Sequence, residues 1–272
     1  MMCHIIFLHM IQIKRVMILQ YEGYLIDLDG TMYRGNESIE GAKEFITNLQ
    51  KQSIPHLFIT NNSTSTRHSV VNKLARFGIH TTKEQILTSA IAAANYIQAN
   101  HQGKRIYMIG EEGLQDALAQ SGLTITAEDS DYVVVGLDRE LTYEKLAKAC
   151  LLIRNGAKFI STNKDRAIPT DKGLIPGNGS ITTLVEVSSG VKPIYIGKPE
   201  HIMMQQALQY LKLPKEKVLM VGDNYETDIL FGIHANVDTL MVLTGFSSKE
   251  DLLHVGLQPT YVEENLMNWL LK

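Results

Sequence analysis

Cysteine is nearly absent: Cys3 and Cys150 are the only two in 272 residues. Two thiols this far apart exclude a disulfide framework and a thiolate zinc site, and they make a reducing cytoplasm the expected compartment. The nine histidines show no metal-ligand spacing and read as surface or core residues. A strong charge of one sign is also missing. The 26 Lys and Arg against 29 Asp and Glu leave a formal net charge of -3, which offers no basic footprint to a nucleic-acid polymer. Long apolar runs are lacking too. The stretch from Ile5 to Ile13 is too short to span a bilayer, and His9 interrupts it. The basic pair Lys14-Arg15 follows this run, whereas a secretory signal carries its charge ahead of it. Residues 1–16 are therefore expected to be an upstream extension without chemistry, with Met17 as the functional start. The rest has the balance of a globular protein, 44% hydrophobic and 20% charged, and this length commonly forms one large or two medium domains.

The most informative segment is Tyr24-Leu25-Ile26-Asp27-Leu28-Asp29-Gly30-Thr31. It reads as an apolar strand that delivers two carboxylates and breaks at a glycine. Side chains at i and i+2 of a strand share a side, so Asp27 and Asp29 are expected to leave it as neighbours. Carboxylates that close repel unless a cation lies between them or one holds a proton. A second cluster has the same shape: Val218-Leu219-Met220-Val221 runs into Gly222-Asp223-Asn224-Tyr225-Glu226-Thr227-Asp228. Ligands of open α/β sheets bind outside the carboxyl ends of the strands. Two such ends brought together make an oxygen-rich pocket of the kind Mg²⁺ favours. Two more strand ends fit: His56-Leu57-Phe58-Ile59 into Thr60-Asn61-Asn62-Ser63, and Pro193-Ile194-Tyr195-Ile196 into Gly197-Lys198-Pro199.

In order, DLDGT, FITNNS, GKP and GDNYETD resemble the four motifs of the haloacid dehalogenase superfamily of phosphohydrolases, and most closely its NagD-like branch of acid sugar and nucleotide phosphatases. The resemblance runs from about residue 21 to the C-terminus. It implies a Mg²⁺-dependent phosphomonoesterase in which Asp27 is the nucleophile and forms an aspartyl-phosphate. Asp29 would protonate the leaving oxygen and then deprotonate the attacking water. Asp27, the main-chain carbonyl of Asp29, Asp223 and Asp228 (directly or through water) would hold Mg²⁺. Thr60, Asn61 and Asn62 would bind phosphoryl oxygens, although Thr, Asn and Ser are equally the residues of a helix N-cap. Lys198 would clamp the phosphate and balance its charge.

Strands and helices alternate nearly throughout, so the expected fold is α/β with a mainly parallel, Rossmann-like sheet. Ala42, Phe45, Ile46 and Leu49 recur at helical spacing, as do Val70, Leu74 and Phe77 before Gly78. The connection from Thr31 to the first helix is short and polar, which leaves no room for a lid there. Thr60 and Lys198 are separated by far more than one βα unit requires. That gap carries its own α/β pattern, with strands at Arg105–Ile109, Tyr132–Val135 and Lys158–Ser161 and helical faces at Leu114, Ala117 and Leu118 and at Leu146, Cys150 and Ile153. The expected division is a core from residues 17–92 and 192–272 and an inserted cap at 93–191.

The cap's long stretch from Thr162 to Gly179 reads as a functional or disordered loop, and the resemblance implies that it faces the substrate. Asn163 and Asp165 in it are either substrate contacts or loop-stabilising Asx turns. Ile168 stands where pyridoxal-phosphate phosphatases of this branch carry a histidine, so pyridoxal phosphate is expected to be a poor substrate. Met203-Met204 read as core. The expected partner is a small phosphate ester such as a sugar phosphate or nucleotide, with no nucleic-acid polymer, no membrane, and a monomer or homodimer as the assembly. Rival readings are a phosphotransferase or mutase of the same fold, and a phosphate-binding regulatory module without turnover. A nicotinamide-dependent oxidoreductase would need a glycine fingerprint after the first strand, where this chain has aspartates.

Overall fold

The computed structural model describes residues 21–100, 103–170 and 172–269; the expectation about residues 1–16 and Met17 lies outside them. The chain forms two compact units. One takes the described residues of Met1–Phe58, Phe77–Ile79 and Leu208–Lys272, the other Ile59–Arg76 and His80–Ala207. Both are α/β with mainly parallel sheets. Among the described residues, no helix is long and apolar enough to cross a membrane.

In the first unit Gly23–Ile26 is buried along its whole length. A parallel strand covered on both faces needs apolar residues at every position, and Gly-Tyr-Leu-Ile supplies them. Val218–Gly222 pairs with it on one side, with Ile26 opposite Val221. His56–Thr60 pairs on the other side, with Ile26 opposite Phe58. Beyond Val218–Gly222 come Asp238–Val242 and then Tyr261–Glu263, all parallel. The chain leaves the central strand toward one edge and returns on the opposite side. The order therefore switches between Gly23–Ile26 and Val218–Gly222, the kind of place at whose carboxyl ends open α/β sheets bind ligands. Ala42–Lys51 is the expected amphipathic helix, burying Ala42, Phe45, Ile46 and Leu49, and Phe45 meets Tyr24 edge to face at 5.6 Å. The short link after Thr31 is itself folded. Tyr33–Arg34 and Glu37–Ser38 form a small antiparallel hairpin, pinned where Arg34 donates to the carbonyl of Thr244.

His56 opens its strand in a buried position, ring against Phe58 at 5.6 Å and Nδ1 3.3 Å from the carbonyl of Ile54. Burial holds its pKa below the ordinary value of 6.5, only partly offset by that carbonyl. The folded protein thus binds this proton less readily than the unfolded chain. Its contribution to stability is present above pH 6.5 and is lost as pH falls from there through the depressed folded value. Thermal melts of His56→Phe should therefore decline less between pH 7 and pH 5 than those of the wild type. Equal slopes would show that acid destabilisation arises elsewhere.

The second unit has a parallel sheet in the order Ile194–Tyr195, Lys158–Ser161, Tyr132–Val135, Arg105–Ile109, Thr124–Ile125. Its core gathers Val133, Val135, Phe159, Ile153 and Val185, with Leu146 and Cys150 packed against it. Two features differ from the expectation. Ile194–Tyr195 is only two residues long and extends this sheet by pairing with Lys158–Ser161. The stretch read as a long loop holds an antiparallel hairpin, Ala167–Thr170 with Gly173–Pro176. Gly173, at φ +114° and opposite Thr170, closes its turn. Ile168 is partly buried against the unit's own core. Met203 and Met204 are buried as expected.

Candidate active site

The central strand ends at Ile26, one residue before the first aspartate. The Asp27 amide still donates to the carbonyl of Val221 at 2.9 Å, so Asp27 is held at the switch point, just past the two strand ends. Asp223 follows the neighbouring strand. Asp228 comes from a single π-helical turn, Tyr225–Ile229, a conformation that often marks functional sites. The turn is tied at its start: the Asn224 side chain accepts from the Glu226 amide at 3.0 Å, while the Asn224 amide donates to Asp228 Oδ2 at 3.1 Å. Asp27, Asp223 and Asp228 are all buried, and one oxygen from each lies within 4.8 Å of the others. Three carboxylates gathered out of water repel strongly unless a cation joins them. Hard oxygen donors in a compact set fit Mg²⁺.

Neighbours fix these carboxylates. Asp223 Oδ1 accepts from the Thr31 hydroxyl at 3.1 Å and Oδ2 from the Phe246 amide at 2.7 Å. Gly30 sits at φ +89°, where L side chains are strained, and a Cβ there would overlap the Asp223 carboxylate. Gly245 has no such backbone demand. Its lack of a side chain is required by space alone, since a Cβ would again strike Asp223. Gly245→Ala should therefore weaken Mg²⁺ activation by about 10- to 100-fold with the fold retained. A Mg²⁺ titration of activity measures this, and an unchanged half-saturation would show that Asp223 tolerates the displacement.

Asp29 differs from Asp27. Asp29 is exposed while Asp27 is buried. Its carboxylate is not one of the three that cluster. Two acids in such different surroundings suit two different tasks. Buried Tyr33, bridged to Asp29, has its phenol pushed far above the ordinary range, by burial first and then by the charges of Asp29 and Asp27. It stays protonated and neutral. Thr31, Gly245 and Phe246 were not singled out by sequence reasoning. The signal for the last two was a third buried parallel strand, Asp238–Val242, running into a glycine-containing loop.

The second unit gathers the other candidates. Thr60 is buried at its strand end, and its hydroxyl accepts from the Asn62 amide at 3.1 Å. Asn62 Oδ1 accepts from the Thr64 amide at 2.8 Å, so Asn62 builds the turn. Ser63 is buried and accepts from the Leu137 amide at 3.4 Å. Lys198 is only 2% exposed, with Nζ 3.4 Å from the carbonyl of Ile59. The Asn61 side chain exchanges hydrogen bonds with the main chain of Lys198 and donates to Asp165 Oδ1 at 3.0 Å. Asn163 makes the Asx turn, accepting from the Asp165 amide at 3.1 Å, and donates to the Asn61 carbonyl at 2.8 Å. Asn61, Asn163, Asp165 and Lys198, distant in sequence, thus share one network.

Parallel strands ending in clustered carboxylates at a switch in strand order define an α/β enzyme built around an acidic centre. Comparison with known proteins narrows this. Residues 24–124 match the haloacid dehalogenase-like hydrolase family, and residues 195–269 match a second HAD-hydrolase-like model. The chain is 51% identical over 250 residues to the 5'-nucleotidase YutF of Bacillus subtilis, covering 92% of this chain and 98% of that protein. It is 52% identical over 248 residues to an acid sugar phosphatase of Staphylococcus aureus, covering 91% and 96%. Among solved structures, a mutant of a thermostable p-nitrophenylphosphatase from Bacillus stearothermophilus matches with TM-score 0.83 at 54% identity, over 92% of this chain and 98% of that one. A 4-nitrophenylphosphatase from Thermotoga maritima matches with TM-score 0.88 at 34% identity, over 92% and 96%. The protein belongs to the haloacid dehalogenase-like hydrolases.

Proposed function

We propose that this protein is a Mg²⁺-dependent phosphomonoesterase acting on small soluble phosphates such as sugar phosphates or nucleotides. The observation that carries the reading is the meeting of buried Asp27, Asp223 and Asp228 from two adjacent parallel strand ends, with Asp29 exposed two residues after Asp27. An Asp27 carboxylate oxygen attacks phosphorus, and the bond from phosphorus to the ester oxygen breaks. Asp29 gives its proton to the departing oxygen. It then takes a proton from water, which attacks the same phosphorus and frees Asp27 and orthophosphate. Asp27, Asp223, Asp228 and the main-chain carbonyl of Asp29 would hold Mg²⁺. When bound, the ion offsets the negative charge that otherwise keeps a carboxylate from a phosphate. The Thr60 hydroxyl, the backbone N–H of Asn61 and Lys198 are assigned to the phosphoryl oxygens. Residues 93–191 are assigned to the cap that selects the leaving group.

The test is phosphate release across sugar phosphates, nucleotides and aryl phosphates, with Mg²⁺ and with chelator. Metal-dependent release from several of them is the expected result. No release from any substrate in the panel would remove the assignment.

A further inference from the structure

Asn61 follows the strand that presents Thr60, a place from which a carboxamide could donate to phosphate. Its hydrogen bonds point elsewhere. Asn61 Oδ1 accepts from the Lys198 amide at 2.8 Å, and Asn61 Nδ2 donates to the Lys198 carbonyl at 3.0 Å. One side chain thus engages both main-chain groups of Lys198, as two residues of a β-ladder engage each other. The second Nδ2 hydrogen goes to Asp165 Oδ1 at 3.0 Å. A carboxamide nitrogen has two hydrogens, and both are used within the protein. We propose that Asn61 is a positioning residue: its side chain anchors the backbone of Lys198, and Asp165 fixes which way the amide faces. This rests on the assignment of Lys198 to phosphate.

The surroundings are built for such an anchor. The Asn61 carbonyl accepts from Ser89 Oγ at 2.7 Å and from Asn163 Nδ2 at 2.8 Å. Asn163 is held in turn by buried Asn178, whose Nδ2 donates to the Asn163 carbonyl at 2.7 Å. A Cβ at Gly197 would approach Asn61 Oδ1 to 2.5 Å and the Thr162 carbonyl to 2.6 Å, so the residue before the lysine has no room for a side chain between them. Lysine is a point charge on a flexible stem. A rigid backbone at its root limits where the ammonium can go, and an error of about 1 Å in such a group costs on the order of 100-fold in rate.

The experiment is a double-mutant cycle of Asn61→Ala and Lys198→Met, with Mg²⁺ and the substrate turned over best in the phosphate panel. Asn61→Ala keeps the backbone N–H and should lower kcat by about 100-fold with KM and the Mg²⁺ requirement little changed. On the Lys198→Met background it should change kcat less than about twofold, because a residue acting through another has nothing left to act on. Multiplying effects would mean that Asn61 acts on phosphate independently, and would overturn the inference. Wild-type activity in Lys198→Met would remove the lysine's assignment and this inference with it, a result distinct from failure of the cycle. Should Asn61→Ala fail to fold by circular dichroism, Asp165 decides. Asp165→Ala should lower kcat by about 10-fold, again non-additively with Lys198→Met. Asp165→Asn, whose carbonyl oxygen accepts the same bond, should recover most of that loss. No difference between the two Asp165 variants would overturn the anchoring role.

Discussion

Asp27→Asn is expected to lower turnover by about four orders of magnitude or more, since an amide oxygen is not a competent nucleophile and the substitution leaves shape unchanged. The paired variant, Asp29→Asn, should lose about 10²- to 10⁴-fold, and the loss should depend on the substrate. A sugar phosphate releases a strongly basic alkoxide that needs the proton. Nitrophenyl phosphate releases a phenolate stable enough to depart without one, so Asp29→Asn should harm it far less in the first step. Steady-state kinetics on both substrates, with quenched-flow detection of phosphate attached to protein, checks the pair. If Asp27→Asn keeps even about a tenth of wild-type activity, the covalent route is wrong. Equal losses for both leaving groups in Asp29→Asn would deny it the role of general acid.

The second large effect concerns Asp223. Buried carboxylates at Asp27, Asp223 and Asp228 destabilise one another without a cation, so Mg²⁺ should stabilise the folded state as well as activate it. At about 100 times its Kd, an ion stabilises by about 2.7 kcal/mol, which for a chain of this size raises Tm by about 5–10 °C. Asp223→Asn should abolish that rise and cut Mg²⁺ affinity by about 100-fold or more. Asp223 also receives hydrogen bonds from Thr31 and the Phe246 amide. An asparagine keeps one acceptor oxygen for them, so the variant should fold. Melting curves over a Mg²⁺ series give the answer. A full Mg²⁺ shift in Asp223→Asn would place the cation elsewhere.

The parallel α/β class was legible because strands covered on both faces must be apolar throughout, and Tyr24-Leu25-Ile26 and Val218-Leu219-Met220-Val221 are. Helical periods at Ala42–Leu49 and Leu114–Leu118 were legible for the same reason: each marks a buried face. The acids were visible because carboxylates at the ends of apolar strands have little reason to be there except chemistry. Pairing was not visible. Nothing local in Ile194–Tyr195 says that it joins Lys158–Ser161, and the partner of Ala167–Thr170 is known only once Gly173 turns the chain.

By itself the sequence determined which residues could carry charge, donate or attack, and in what order along the chain, since those are properties of residue types and local patterns. Only the tertiary structure decided how they divide the work. Asp27 and Asp29 are near neighbours in sequence, yet Asp27, its amide bonded to Val221 of the adjacent strand, is buried beside Asp223 and Asp228, and Asp29 is exposed. The Asn61 side chain reads as a phosphate donor until Lys198 and Asp165, more than a hundred residues away, take both hydrogens of its carboxamide. Hydrogen-bond capacity belongs to the residue; its allocation depends on which groups the fold brings within 3 Å, and that is a long-range property.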